Sequence, residues 1–228
     1  MRTIVMIALS VMFALVVAIP IASGATALRN DSQTLGALGA EWWTWAIEEP
    51  VPTNAQFGSY TDQSPKCEGS TTFANQEVFF LAGTQTGEPV TRECTVSNEA
   101  WIFFPVVNYV DIEPIGAFTE AEIRQIVNDA MDQYLAGSTM YVTVDGKRVP
   151  VSIQKNRADT PLFTVTLPRK NIFGGPQLAG EYEGVADGVW MLLPPLSEGE
   201  HTITFGGTFP NAPGDGFSQN NTYILTVV

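Results

Sequence analysis

The stretch Met140-Tyr141-Val142-Thr143-Val144-Asp145-Gly146-Lys147-Arg148-Val149-Pro150-Val151-Ser152-Ile153 decides the fold class. Two runs rich in β-branched residues flank Asp145-Gly146, a pair that accepts the positive backbone angles of a tight hairpin turn. An antiparallel hairpin is expected here. Further strands are expected at Leu162–Leu167, Gly188–Leu193, His201–Phe205 and Tyr223–Val228, with Gly- and Pro-rich loops over 168–180 and 206–220. Upstream, Val78–Gly83 and Ala100–Val107 are apolar runs that read as buried strands, separated by the polar 84–98 stretch. Short strands with turn signals between them predict a mainly β protein, a disulfide-stapled β-sandwich of immunoglobulin-like or jelly-roll-like type.

Two α-helices interrupt the β pattern and are expected on its flanks. Asp31-Ser32 can cap a helix near 32–48, in which Leu35, Leu38, Trp42, Trp45 and Ala46 recur at helical spacing until Pro50 ends it. Thr119-Glu120-Ala121-Glu122 is a capping box opening a helix near 119–136, with Phe118 and Ile123 spaced for a hydrophobic staple and Gly137 as the stop. Residues 50–76 carry prolines and glycines without periodicity and read as a long irregular segment.

The N-terminus reads as an export signal. Met1-Arg2-Thr3 precedes the uncharged run Ile4–Ile19, then Pro20 and the small residues Ala22-Ser23-Gly24-Ala25. Residues 1–24 are expected to be removed, leaving 25–228 as one β-sandwich domain with no transmembrane segment. The competing reading is a retained anchor, since the apolar run approaches the ~20 residues that span a bilayer. The break at Pro20 and the absence of a basic flank favour cleavage. A secreted, periplasmic or cell-surface protein follows, and in such a compartment Cys67 and Cys94 are expected to form a bridge. Closing that loop is worth ~3.5 kcal/mol in the chain-entropy model.

The chain has 24 acidic and 11 basic residues, a formal net charge of −13. That surplus excludes nucleic acid as an expected partner, because such binding rests on Lys and Arg neutralising phosphates. Anionic membranes are disfavoured alike.

Leu196-Ser197-Glu198-Gly199-Glu200-His201-Thr202-Ile203-Thr204-Phe205 resembles the corner before the penultimate strand of bacterial immunoglobulin-like and fibronectin-like sandwiches. His201 stands where those folds often have Tyr. More broadly, Trp42-Trp43-Thr44-Trp45, Phe79-Phe80-Leu81-Ala82-Gly83-Thr84, Arg92-Glu93-Cys94-Thr95-Val96, Phe103-Phe104-Pro105-Val106-Val107-Asn108 and Asp187-Gly188 resemble a group of uncharacterised exported microbial proteins. This second resemblance implies a shared fold and secretion, and no activity.

His201 is the single histidine, and its strand phase sets it beside Ile203 and Phe205, which points to a structural ring. No Gly-x-Ser-x-Gly elbow occurs. Glu181 and Glu183, two apart, would point to one side of a strand at a spacing that an inverting glycosidase uses, as would any such pair. No cofactor is expected, with calcium the one alternative, held by Asn108, Asp111 and Glu113. Exposed aromatics are the better hint: Trp43, Tyr60 and Phe209 or Phe217 would make a stacking surface, although core packing competes for the tryptophans. The expected ligand-binding residues are therefore Trp43, Tyr60, Asn108, Asp111, Phe209 and Asp215. The function expected is a binding or surface-interaction module for an extracellular glycan or protein surface. A secreted glycan-active hydrolase using paired carboxylates is one alternative. A structural subunit of an extracellular assembly, with Tyr223–Val228 as an exposed edge strand, is another.

Overall fold

A computed structural model describes residues 27–51, 53–54, 67, 69–84 and 87–228. The expected signal peptide and most of the 50–66 segment, Tyr60 included, lie outside the described residues. The hairpin forms as expected: β5 (Thr139–Val144) and β6 (Lys147–Val149) pair antiparallel around Asp145 and Gly146, whose φ angles are 51° and 72°. The second strand is shorter than its β-branched run. Pro150 has no N–H to continue the ladder, and the chain turns instead into a one-turn helix, α3 (Ile153–Asn156), where the Ser152 N–H donates to Asn156 Oδ1 at 3.0 Å.

One sheet runs β3 (Val90–Val96), β11 (Phe217–Val227), β10 (Gly199–Phe209), β5, β6. The other runs β1 (Ser70–Phe73), β2 (Gln76–Phe80), β4 (Trp101–Pro114), β9 (Gly180–Leu193), β7 (Arg157–Asp159), with β8 (Phe163–Leu167) also on β9. The pairs β2/β4 and β3/β11 are parallel and the rest antiparallel.

Three expectations are corrected here. The polar 84–98 stretch contains β3, whose inward positions are Arg92, Cys94 and Val96, so a buried arginine hides the apolar alternation. The 206–220 loop is mostly strand, because β10 and β11 pair as far as Phe209 and Phe217, and β4 likewise follows β9 to Pro114. Nor is Tyr223–Val228 an edge: β11 lies between β10 and β3.

The two sheets pack face to face, with Phe104, Val106, Val107, Val189 and Met191 meeting Ile203, Phe205, Tyr223 and Leu225. On the outer face of the β4–β9 sheet lies α1 (Ser32–Glu48), capped by Asp31 Oδ1, which accepts from Thr34 N at 2.9 Å. Its Leu35, Leu38, Trp42, Trp43 and Ala46 pack on Phe80, Phe103, Val165 and Trp190. No helix among the described residues is long and apolar enough to cross a membrane.

The second long helix, α2 (Glu120–Leu135), sits on the inner face of the β4–β9 sheet, beside the other sheet. Ile123 and Val127 pack on Val185, while Met131 and Leu135 reach the inter-sheet core. Its capping box closes as expected, Thr119 N donating to Glu122 Oε2 at 2.8 Å, and Gly137 at φ 73° ends it. Phe118 is 44% exposed, on the outer side of the helix rather than in the cluster that Ile123 enters.

A bulge in β4 sets the phase of everything downstream. The register with β9 shifts between Pro105 and Val107, where a proline that cannot donate is tolerated in a central strand. Val106 and Val107 both face the core as a result. Beyond the bulge the inward positions are Tyr109, Asp111 and Glu113, and Asn108 falls on the opposite face.

Candidate functional site

Four elements meet at one end of the sandwich and leave a cavity of about 200 Å³. Gly83 and Thr84 come from the segment leaving β2, Asn108 from the β4 bulge, and Tyr134 from the last turn of α2. The short β10–β11 turn supplies Pro213, and β11 supplies Phe217 and Gln219. Apart from the Tyr134 phenol, the lining carries no titratable side chain.

The floor is held by a relay of amides. Asn221 Nδ2 donates to Gln219 Oε1 at 3.1 Å, and Gln219 Nε2 donates to the Val106 carbonyl at the bulge. The bulge leaves that carbonyl available for a side chain, so one irregularity fixes both the register and the cleft floor. A Cβ at Gly83 would sit 2.5 Å from Gln219 Oε1, so a side chain there would displace the Gln219 amide from the relay. Asn108 Nδ2 is buried with no hydrogen-bond partner.

The walls are aromatic. Phe217 stacks on Phe209 with ring centroids 6.2 Å apart, and Tyr134 lies against Tyr109 at 6.1 Å. Burial, and then the neighbouring Tyr109, push the Tyr134 hydroxyl above its ordinary range, so it stays protonated and can donate or accept. Behind the cleft, Trp42 Nε1 donates to the Leu81 carbonyl at 2.9 Å. Tyr223 Oη accepts from Ala82 N at 2.9 Å, and buried Arg92 donates to the Ala82 carbonyl and to Tyr223 Oη. The segment Leu81–Gly83 is thus pinned from both sides, which places the cleft edge firmly.

The expected site residues part company. Trp43 is 3% exposed, edge-on to Trp42 with centroids 5.1 Å apart, and Phe209 is fully buried. Neither can form an exposed stacking surface. Trp43 is enclosed because α1 lies flat on the sheet, and Phe209 because its strand continues into the inter-sheet core. Tyr60 lies outside the described residues. Asp215 is exposed in the β10–β11 turn, next to the lining residue Gly216.

The calcium set is divided by strand alternation, since Asn108 and Asp111 stand three residues apart in the regular part of β4. Asn108 lines the cleft, while Asp111 faces α2 from the other side of the sheet, where burial pushes its carboxyl up. Glu113 follows Asp111 on that face and opposes Glu183 across the ladder; burial and then the Asp111 charge push its carboxyl up too. Among the described residues no three His, Cys, Asp or Glu side chains gather to hold a metal ion. The Cys67–Cys94 bridge is present, with Cα atoms 5.5 Å apart.

His201 has two partners that spacing alone did not reveal. Its Nδ1 lies 2.8 Å from Asp145 Oδ2, and its Nε2 lies 3.0 Å from the Ser197 carbonyl and 3.2 Å from Ser197 Oγ. These distances imitate a serine-hydrolase triad, but the chemistry differs. In the imidazolium form Nε2 donates to the Ser197 carbonyl and Nδ1 to the Asp145 carboxylate, and in that form no ring nitrogen is free to take a proton from Ser197. His201 clamps the Ser197–His201 turn to the hairpin.

Gln219, Tyr134, Thr84 and Pro213 are among the lining residues that sequence reading missed. A signal existed for the first. Gln219 and Asn221 occupy the phase of Tyr223, Leu225 and Val227, so two amides sit on the apolar side of a strand.

No family model matches the chain, and no curated protein matches its sequence. Among solved structures it is similar to the crystal structure of the cysteine protease inhibitor EhICP2 from Entamoeba histolytica, at 10% identity over 66% of this chain and 95% of that one, with a TM-score of 0.23. It is also similar to the solution structure of amebosin, at 9% identity over 65% and 96% of the two chains, with a TM-score of 0.19. Superpositions this loose carry no inference about activity.

Proposed function

We propose that the protein is an exported binding module that takes one small, uncharged, hydroxyl-bearing ring, a sugar unit of an extracellular glycan, into the cleft at the end of its sandwich. The observation that carries this reading is the lining itself: Asn108, Gln219, Thr84 and the Tyr134 hydroxyl beside Phe217 and Pro213, with no carboxylate, imidazole or thiol among them. Hydroxyl groups both donate and accept, so they satisfy amides and a phenol together, while an aromatic face takes the apolar side of a sugar ring. The one titratable lining group, the Tyr134 phenol, is held protonated and leaves the cleft without a general base, which favours binding over hydrolysis. The volume of about 200 Å³ falls below the ~300–1,000 Å³ of drug-sized sites, so a single ring fits better than a polymer segment. Export is supported by the composition of residues 1–24 and by the Cys67–Cys94 bridge.

Titration of the isotope-labelled protein with a panel of neutral monosaccharides, followed by amide NMR shifts, tests the proposal. Shifts should centre on Thr84, Asn108, Phe217 and Gln219, and Asn108→Ala or Phe217→Ala should weaken binding about tenfold, ~1.4 kcal/mol. Shifts confined to other surfaces, or sugar turnover lost with a single carboxylate, would replace it.

A further inference from the structure

We infer that the outer face of α2 is a docking surface for a cationic amphipathic segment of another protein. Of the large hydrophobic residues exposed among the described ones, three fall on one short stretch: Ile115 at 57%, Phe118 at 44% and Ile126 at 41%. Phe118 and Ile126 line a shallow groove of about 310 Å³ with Glu122, Gln125 and Asp129. Their spacing along the helix puts all five on one side, opposite the face that Ile123, Val127 and Met131 bury. Phe118, just before the helix, and Ile126 within it therefore form a second apolar patch, and none of the described residues covers it. Phe118 stands at the position from which a staple would reach Ile123, yet it lines the outer groove instead.

Charge selects the occupant. Glu120, Glu122, Asp129 and Asp132 are the acidic residues of α2, and Arg124 is its one basic residue. Arg124 is held inward, Nη1 donating to the Thr160 carbonyl at 3.0 Å and Nη2 lying 2.5 Å from Glu120 Oε1. The groove thus presents apolar side chains rimmed by the carboxylates of Glu122 and Asp129 with no cation among its lining. A partner carrying an apolar anchor between Lys or Arg residues matches both features. A second copy of this chain does not, because it would set Glu122 and Asp129 against their own kind in a chain of net charge −13.

The probe is a fluorescein-labelled leucine–lysine amphipathic peptide about five helical turns long, titrated with the disulfide-bonded protein and read by anisotropy. Binding is expected, about tenfold weaker with Phe118→Ser or Ile126→Ser, weaker also with Asp129→Asn, and unchanged with Phe217→Ala in the sugar cleft. A leucine–glutamate peptide of the same design should not bind. Circular dichroism of each variant separates a lost surface from a lost fold. Absence of binding overturns the inference. So does binding indifferent to Phe118→Ser and Ile126→Ser, which would mean bulk attraction to an acidic protein. Sedimentation showing a dimer that Ile126→Ser dissolves would assign the face to a second copy instead.

Discussion

Arg157 Nη2 stands 2.6 Å from Asp187 Oδ2, and Nη1 of the same guanidinium stands 2.5 Å from Asp132 Oδ1, so one side chain from β7 ties β9 to α2. The two carboxylates differ in setting: the Asp187 side chain is fully enclosed, whereas that of Asp132 is 67% exposed. Burial pushes the Asp187 carboxyl up, against the hydrogen bond from Arg157 that holds it down. Removing the arginine would strand that charge beneath α2. Arg157→Met is therefore expected to cost ~3–5 kcal/mol and Asp132→Ala less than ~1 kcal/mol, measured by urea unfolding. Equal costs would show that the enclosed pair does not anchor the helix.

Stability should also fall through His201 as pH rises through its folded pKa, which lies above 6.5. The hydrogen bond to Asp145 raises the folded His201 pKa above 6.5, burial opposes this, and the bond to Ser197 adds to it. A raised folded pKa means that the proton favours the fold: the contribution is complete below 6.5 and is lost as pH rises through the folded value. Asp145 works at the other end. Bonds from Thr202 N and His201 lower its pKa, so its contribution is present above 3.8 and lost as pH falls through the folded value. Melting temperature against pH should therefore decline as pH rises past 6.5 in the native protein, and His201→Phe should flatten that limb. An NMR titration placing the His201 pKa at or below 6.5 would contradict this account.

The alternation of β-branched residues, the Asp145-Gly146 turn and the Thr119 capping box made the strands, the hairpin and both long helices legible. Each is local chemistry. What escaped was non-local. β3 was hidden because Arg92 occupies an inward position, and an arginine there makes sense only beside the Ala82 carbonyl and Tyr223 that receive it. The β4 bulge escaped as well, and with it which face of the sheet Asn108 and Asp111 each take. The aromatic surface proved misplaced for a related reason. Helical spacing shows that Trp43 projects away from Trp42, but only the sheet beneath α1 shows that both directions are covered.

Adjacent tryptophans of α1 should respond in opposite ways to loss of their N–H. Trp42 Nε1 donates to the Leu81 carbonyl, whereas Trp43 Nε1 is buried without a partner. Trp42→Phe removes a bond and leaves a buried acceptor, at ~1–3 kcal/mol beyond the lost volume. Trp43→Phe removes an unsatisfied donor, so the gain offsets part of the cavity and the net change should be smaller. Chemical unfolding of the two variants compares them directly, and a larger loss for Trp43→Phe would mean that its N–H is satisfied.

Phe209 and Phe217 face each other across the closing rung of the β10–β11 hairpin, stacked, with only Phe217 partly open and lining the cleft. Truncating the two should therefore separate stability from binding. Phe209→Ala opens a void in the inter-sheet core and is expected to cost ~3–5 kcal/mol. Phe217→Ala removes a half-covered ring at the rim, where the chain can relax and water can enter, so a loss of about half that size is expected. Its larger effect should fall on ligand affinity, because it is the one phenylalanine face that the cleft offers for stacking. Thermal melts and the monosaccharide titration, run on both variants, decide the matter. If Phe209→Ala kept its melting temperature, or if Phe217→Ala bound sugar as the native protein does, the cleft would have to be assigned elsewhere on the sandwich end.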